Sequence, residues 1–235
     1  AGLKKPLKRN LADALWPAVS RGGRSAAEDL RIADAFLRIV DAGPSGISSS
    51  GRYAAVLIGR VGALHRQGHH RRTRAAVADA LTRLGPMLSR MPRAHHRLLR
   101  LEARSLAAER RFKAALVKYE SLPGDFDSAT DARLRVAVCG GERERAAVLA
   151  ELDRLPEAEV ILDVLTRRLK KWRARTAQRE LVLVLSLRAD LASALGHEDA
   201  ADEHRLAAAE VAGELAAHPT GVPSRTVSGF PAPSE

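Results

Sequence analysis

Nearly half of this chain is apolar (46%), yet only 3% of it is aromatic, so any core must be built from Ala, Leu and Val. Small side chains of this kind let helices approach closely. They supply little for a β-sheet, whose pleated surface favours aromatic and β-branched residues. The expected fold is all-α. At 235 residues the chain can bury a substantial core in one domain or two. Its single cysteine, Cys139, cannot close an internal disulfide, as suits a reducing compartment or simply a cysteine-poor proteome. The longest apolar run spans 181–187 and contains Ser186, well short of the ~20 residues that cross a bilayer, so no membrane insertion is expected. Residues 1–9 are basic, but no apolar segment follows them; no signal peptide is expected, and the cytoplasm is the expected location.

Glycine and proline cut the chain into helix-length pieces. Residues 11–42 predict two helices broken around Pro17 to Arg24, with Gly22-Gly23 as the turn. The Gly/Ser/Pro cluster from Gly43 to Gly51 marks a joint, dividing an N-terminal helical segment, 1–44, from a main domain, 45–218. A helix from Tyr53 to about Arg66 turns at Gly68-His69-His70 into another from about Arg72 to Leu84, stopped by Gly85-Pro86. The next pair covers 94–109 and 112–121 and ends at Pro123-Gly124. Residues 128–139 and 143–154 predict a shorter pair turned at Gly140-Gly141 and ended near Pro156. A charged helix over 157–175 precedes a last pair, 177–195 and 199–217, turned at Gly196-His197. Residues 219–235 are dominated by Pro, Ser, Thr and Gly and are expected to form a disordered tail. A succession of antiparallel helix pairs with short turns is the pattern of a helical-repeat array.

One pair carries a more specific signature. Leu99, Ala103, Leu106, Phe112, Ala115 and Tyr119 hold the large, small, large, aromatic and Ala-x3-aromatic places of a helix-pair consensus. In this respect the chain resembles the tetratricopeptide (TPR) family. The last pair echoes it in Leu185, Ala189, Ala192, Gly196, Ala201 and Ala208; weaker echoes occur at Leu134, Ala137, Gly141 and Ala146, and at Gly22 and Ala27. The alanines that mark second helices, Ala27, Ala76, Ala115, Ala146 and Ala201, are 49, 39, 31 and 55 apart instead of a steady 34. Glu102 also stands where the consensus is apolar. The resemblance therefore implies a degenerate TPR-like α-solenoid, with the first helix of each pair lining a ligand groove.

Charge is concentrated at one end. Between Ala42 and Leu101 stand eleven arginines, no lysine and one acid, Asp79, together with five of the eight histidines. Residues 1–100 are net +13 and residues 101–235 net −2. A GC-rich genome raises Arg over Lys everywhere, but it does not remove acids from one segment. Arg93, Arg97, Arg100, Arg104 and Arg111 lie at steps of 4, 7, 11 and 18, and at ~100° per residue they fall within about 60° of one another on one helix face. The acids of that helix, Glu102 and Glu109, fall elsewhere. Under the TPR resemblance, Arg97, Arg100 and Arg104 would face the ligand. Guanidinium forks suit carboxylates and phosphates. Arg71, Arg72 and Arg74, beside His69-His70, form a second basic cluster at a helix start, where a bound anion would relieve the dipole.

Catalytic patterns are missing. His65, His69, His70, His95 and His96 have no acid or thiolate near them in sequence, so neither a metal site nor any cofactor is expected. Cys139-Gly140-Gly141 has no base beside it, and phosphate loops and nucleophile elbows are absent. The expectation is a non-enzymatic adaptor, scaffold or regulatory subunit that binds an acidic protein or peptide. The alternative is a basic helical array that binds nucleic acid through its backbone, tolerant of sequence because Tyr53 is the only aromatic in residues 42–101. Self-association, as the oligomerising part of a larger regulator, fits either.

Overall fold

The computed structural model describes residues 25–41, 51–124, 126, 129 and 131–217. Among them are nine α-helices and no strand: α1 (Ala26–Asp41), α2 (Gly51–Arg66), α3 (His70–Leu84), α4 (Pro92–Ala108), α5 (Phe112–Glu120), α6 (Ala132–Glu151), α7 (Leu155–Lys170), α8 (Arg175–Ala194) and α9 (Glu198–Ala217). A short 3-10 turn, Gly85–Arg90, joins α3 to α4. The all-α expectation holds. None of these helices is long and apolar enough to cross a membrane. The expected helix before Pro17, the joint ahead of Gly51 and the tail 219–235 lie outside the described residues.

Local chemistry sets several of the helix starts. Ser25 and Glu28 form a capping box at α1: Glu28 N–H donates to Ser25 Oγ at 3.2 Å and Ser25 N–H to Glu28 Oε2 at 3.1 Å. At α6 the Asp131 carboxylate accepts from Arg133 N–H at 3.0 Å. Pro156 falls in the first turn of α7, where its missing N–H costs nothing; it opens that helix instead of ending the one before.

Four of the turns are one and the same turn. The pairs α2/α3, α4/α5, α6/α7 and α8/α9 are each joined by three residues, and the middle one has a positive φ: Gly68 (73°), Arg110 (58°), Asp153 (60°) and Gly196 (76°). In each case its N–H donates to the carbonyl three residues back. The next N–H donates five back: His69 to Leu64, Arg111 to Leu106, Arg154 to Leu149 and His197 to Ala192. This pair of bonds is the Schellman closure of a helix end. The four turn residues recur at intervals of 42, 43 and 43.

Counting from that residue brings out a common register. Seven places before it stand Val61, Ala103, Ala146 and Ala189; four before, Leu64, Leu106, Leu149 and Ala192; five after, Thr73, Ala115, Ala158 and Ala201. All twelve are buried. The marker alanines read from sequence mix these registers: Ala115 and Ala201 are equivalent, whereas Ala76 and Ala146 occupy other places. Their uneven spacing is an artefact of that mixing.

The chain divides within α7 into two compact units, 1–161 and 162–235. In the first, α1 packs on α2, α2 on α3 and α4, α3 on α4, α4 on α5 and α6, and α5 on α6. Helices α2, α4 and α6 therefore lie side by side as one layer. Phe36, Leu37 and Val40 of α1 share a core with Tyr53, Leu57 and Leu64 of α2, Val77 and Leu84 of α3, and Leu98 of α4. In the second unit α8 packs along α9.

One expected turn is absent. Residues 132–151 form a single helix that runs straight through Gly140-Gly141. A Cβ at Gly140 would lie 2.6 Å from Arg100 Nη2, and one at Gly141 would lie 2.9 Å from Leu122 Cδ1 and 3.3 Å from His96 Nε2. The two glycines make room for neighbouring side chains, which outweighs their poor helix propensity.

Candidate anion-binding site

Helix α4 is the centre of the α2–α4–α6 layer. Pro92 opens it, and its first turn contains no acid. Its buried side holds His96, Leu98, Leu101, Ala103, Ser105 and Leu106, leaving Arg93, Arg97, Arg100 and Arg104 along another face. The helix ends at Ala108, so Arg111 lies beyond it, at the N-cap of α5, with Nη1 4.0 Å from Glu109. The helical stripe is thus four arginines long.

Toward α6 the stripe meets a carboxylate. Glu144, with only 10% of its side chain exposed, accepts from Arg100 through both oxygens, Nε to Oε2 at 2.8 Å and Nη2 to Oε1 at 2.5 Å. Arg104 Nε lies 3.3 Å and Arg143 Nη2 3.7 Å from Oε1. The Tyr119 hydroxyl donates to Oε2 at 3.2 Å. Burial alone would raise the Glu144 pKa, but the Arg100 hydrogen bonds and the charges of Arg100, Arg104 and Arg143 outweigh it and hold the carboxyl below the usual range. Tyr119 is pushed up, first by burial and then by the charge of Glu144 and its hydrogen bond.

Two imidazoles brace the same layer. Buried His96 has Nδ1 3.0 Å from Pro123 O and Nε2 3.0 Å from Ala137 O. Loss of water, the largest influence, draws its pKa down, and a neutral ring donates to only one of the two carbonyls. Arg100 Nη1 supplies a second donor to Ala137 O at 3.4 Å. His65 of α2 meets Ser105 Oγ of α4 at 3.1 Å; burial, Arg104 and His70 lower its pKa.

Toward α2 the stripe meets no acid among the described residues. Arg97 is exposed, but partial loss of water around its guanidinium, followed by the charges of Arg93, Arg66 and Arg100, draws it below the usual arginine range. Arg66 reaches across to Asp29 at 2.6 Å, whereas Arg93 and Arg97 have no acidic partner among the described residues. One end of the stripe is therefore neutralised internally by Glu144. At the other end Arg97 feels the charges of Arg93 and of Arg66 on α2, the latter already paired with Asp29.

The second basic cluster, Arg71, Arg72 and Arg74, lies at the start of α3. Arg74 reaches Glu109 at 2.6 Å, tying α3 to the end of α4, while Arg71 and Arg72 are exposed. Cys139 is buried. Among the described residues no group of three or more His, Cys, Asp or Glu side chains could hold a metal ion. No protein-family model matches this sequence, and a comparison with curated proteins finds no match.

Sequence inspection missed Glu144, Arg143, Tyr119 and Arg66 as partners of the stripe. A signal for the first was present: Gly140 and Glu144 are four apart, so the missing side chain and the acid share one face. A glycine one turn from a carboxylate leaves room for a large cation from a neighbouring helix.

Proposed function

We propose that this chain is a non-enzymatic interaction module, an adaptor, scaffold or regulatory subunit, built as a degenerate TPR-like array. Its arginine-bearing face grips an acidic segment of a partner protein. The observation that carries the proposal is a pair of exposed cations one helical turn apart, Arg93 and Arg97, neither with an acidic partner among the described residues, while their neighbours Arg66 and Arg100 are taken by Asp29 and Glu144. Like charges held together in the free protein are relieved when a carboxylate arrives, so part of the binding energy comes from repulsion removed. Two features support the repeat reading: the recurrent turn, and the twelve-residue offset between the small residues of paired helices, as between Ala103 and Ala115. The second matches the TPR pattern; the interval of 42 to 43 residues is longer than that family's.

The test is fluorescence anisotropy with an Asp/Glu-rich peptide and with duplex DNA, at about 50 and about 200 mM salt. The acidic peptide is expected to bind, and Arg93→Glu/Arg97→Glu to weaken it at least about tenfold. DNA binding that persists at the higher salt, and is lost in the same variant, would replace the acidic partner with nucleic acid.

A further inference from the structure

The outward face of α9 carries the opposite charge at the spacing of the arginine stripe. Counted from Asp199, Glu203, Leu206 and Glu210 follow at steps of 4, 7 and 11, the steps that take Arg93 to Arg97, Arg100 and Arg104 on α4. At ~100° per residue each set falls within about 60° on one face of its helix. Glu214, at step 15, lengthens the acidic set by another turn on the same face. Buried Ala201 and Ala208 lie on the opposite side of α9, so the acidic stripe points away from α8. We propose that the acidic partner of the arginine-bearing face is α9 of a second copy of this chain. The inference rests on the reading of that face as a receiver of acidic segments, and it names the segment.

Both stripes have charge to give. Asp199, Glu203, Glu210 and Glu214 are exposed, and none of them pairs with a base among the described residues. Arg205, the arginine of α9, lies to one side of the stripe and is taken by Asp202 at 2.6 Å and Glu198 at 3.9 Å. On α4, Arg93 and Arg97 are exposed and have no acidic partner among the described residues. Arg104 meets Glu144 through Nε at 3.3 Å and is still 45% exposed. Each stripe repels itself in the separate molecules, and contact between them relieves both.

Equal rise per residue sets the register when two helices lie side by side. With α9 parallel to α4, Arg93 meets Asp199, Arg97 meets Glu203 and Arg104 meets Glu210. The acidic spacing reads the same from either end, so with α9 reversed Arg93 meets Glu214, Arg97 meets Glu210 and Arg104 meets Glu203. In both directions Leu206, 64% exposed, falls beside Arg100 to within one residue. Arg100 is the arginine that Glu144 already engages through both oxygens, so the uncharged member of one stripe faces the neutralised member of the other. Every copy carries one stripe of each sign, and such a contact between unlike faces is heterologous.

Sedimentation velocity of the full chain from about 5 to about 500 µM tests this. The average mass should rise with concentration at ~50 mM salt, and rise less at ~200 mM. Arg93→Glu/Arg97→Glu and Glu203→Arg/Glu210→Arg, all at exposed positions, should each stay monomeric and keep the helical circular dichroism. Mixed, they should associate, because the first retains the acidic stripe and the second the basic one. Arg97→Glu alone should weaken association at least about tenfold, since a like-charge contact replaces an attractive one. In the same chain Glu203→Arg should restore it if α9 runs parallel to α4, and Glu210→Arg if it runs antiparallel. The assignment is overturned if the unaltered chain stays monomeric, if either double variant associates as it does, if the mixture stays monomeric, or if neither reversal restores Arg97→Glu. The Asp/Glu-rich peptide, titrated into Glu203→Arg/Glu210→Arg, separates this inference from the reading beneath it. Peptide binding without self-association of the unaltered chain overturns the second copy alone, whereas loss of both overturns the basic face as well.

Discussion

Helices α4 and α6 meet through a guanidinium, an imidazole and a carboxylate; α9 meets α8 with alanine. On α9 only Ala201 and Ala208 are buried, seven residues apart on one stripe, and the polar tie at its end is Arg175 Nη2 donating to Leu215 O at 3.1 Å. Packing of the second kind is non-directional: it rewards any close approach of two small-residue faces. The α4–α6 contact is directional. Each buried group there has a named partner, and displacing one member leaves another desolvated and alone. The arginine-bearing helix is thus tied to its neighbour by specific partners, the terminal hairpin by close contact of small side chains.

The largest effect expected from that contrast comes from removing one member of the directional contact. Glu144→Ala strands Arg100 and should lower the unfolding free energy by about 3–5 kcal/mol. Adding Arg100→Met, so that both charges leave together, should recover most of the loss. Leu185→Ala, at a site only 2% exposed in α8, should cost about 2–5 kcal/mol through its cavity, with no partner whose removal restores it. Urea unfolding of the three variants against the unaltered chain measures the difference; a Glu144→Ala loss that Arg100→Met deepens would contradict it.

A smaller effect sharpens the geometry. Gly140→Ala puts a methyl 2.6 Å from Arg100 Nη2 and should cost about 1–3 kcal/mol despite the better helix propensity of alanine. In an Arg100→Met background the clash with the guanidinium is gone, so the cost should shrink or reverse sign. A double-mutant cycle measures that coupling.

The smallest effect is a pH dependence confined to the polar layer. His65 and His96 have folded pKa values below the ordinary 6.5, so folding favours their neutral forms. Their contribution is complete above pH ~6.5 and is lost as pH falls through that value toward the folded pKa values. Glu144 behaves oppositely on another window. Its pKa lies below the usual 4.5, so its contribution is present above pH ~4.5 and lost below it. Between pH 7 and 5 the imidazoles act alone. Stability measured by chemical unfolding should fall across that interval, and His96→Asn should flatten the slope.

What could be read from the residues was what is local. Gly68, Gly196 and the Gly85-Pro86 stop located the ends of helices to within a few residues, because each acts on its own backbone. The alternation of small and large apolar residues gave the helix pairs for the same reason. Gly140-Gly141 was misleading: a glycine pair in isolation signals a turn, and its purpose here is set by Arg100, His96 and Leu122, some 20 to 45 residues away. The candidate site divided in the same way. The shared face of Arg93, Arg97, Arg100 and Arg104 follows from helical geometry alone, whereas their division by Glu144 and Arg66 requires knowing which helices lie beside α4.

Arg110 and Asp153 sit in the left-handed backbone conformation that glycine occupies at 68 and 196. The four hairpins therefore turn on interchangeable joints. A chain cut after residue 110 and rejoined at 154, or copied between those points, would find the same dihedral angles and the same closing hydrogen bonds waiting for it. The length of such a protein is adjustable in steps of one hairpin, by duplication or deletion of about 43 residues, without inventing a new loop.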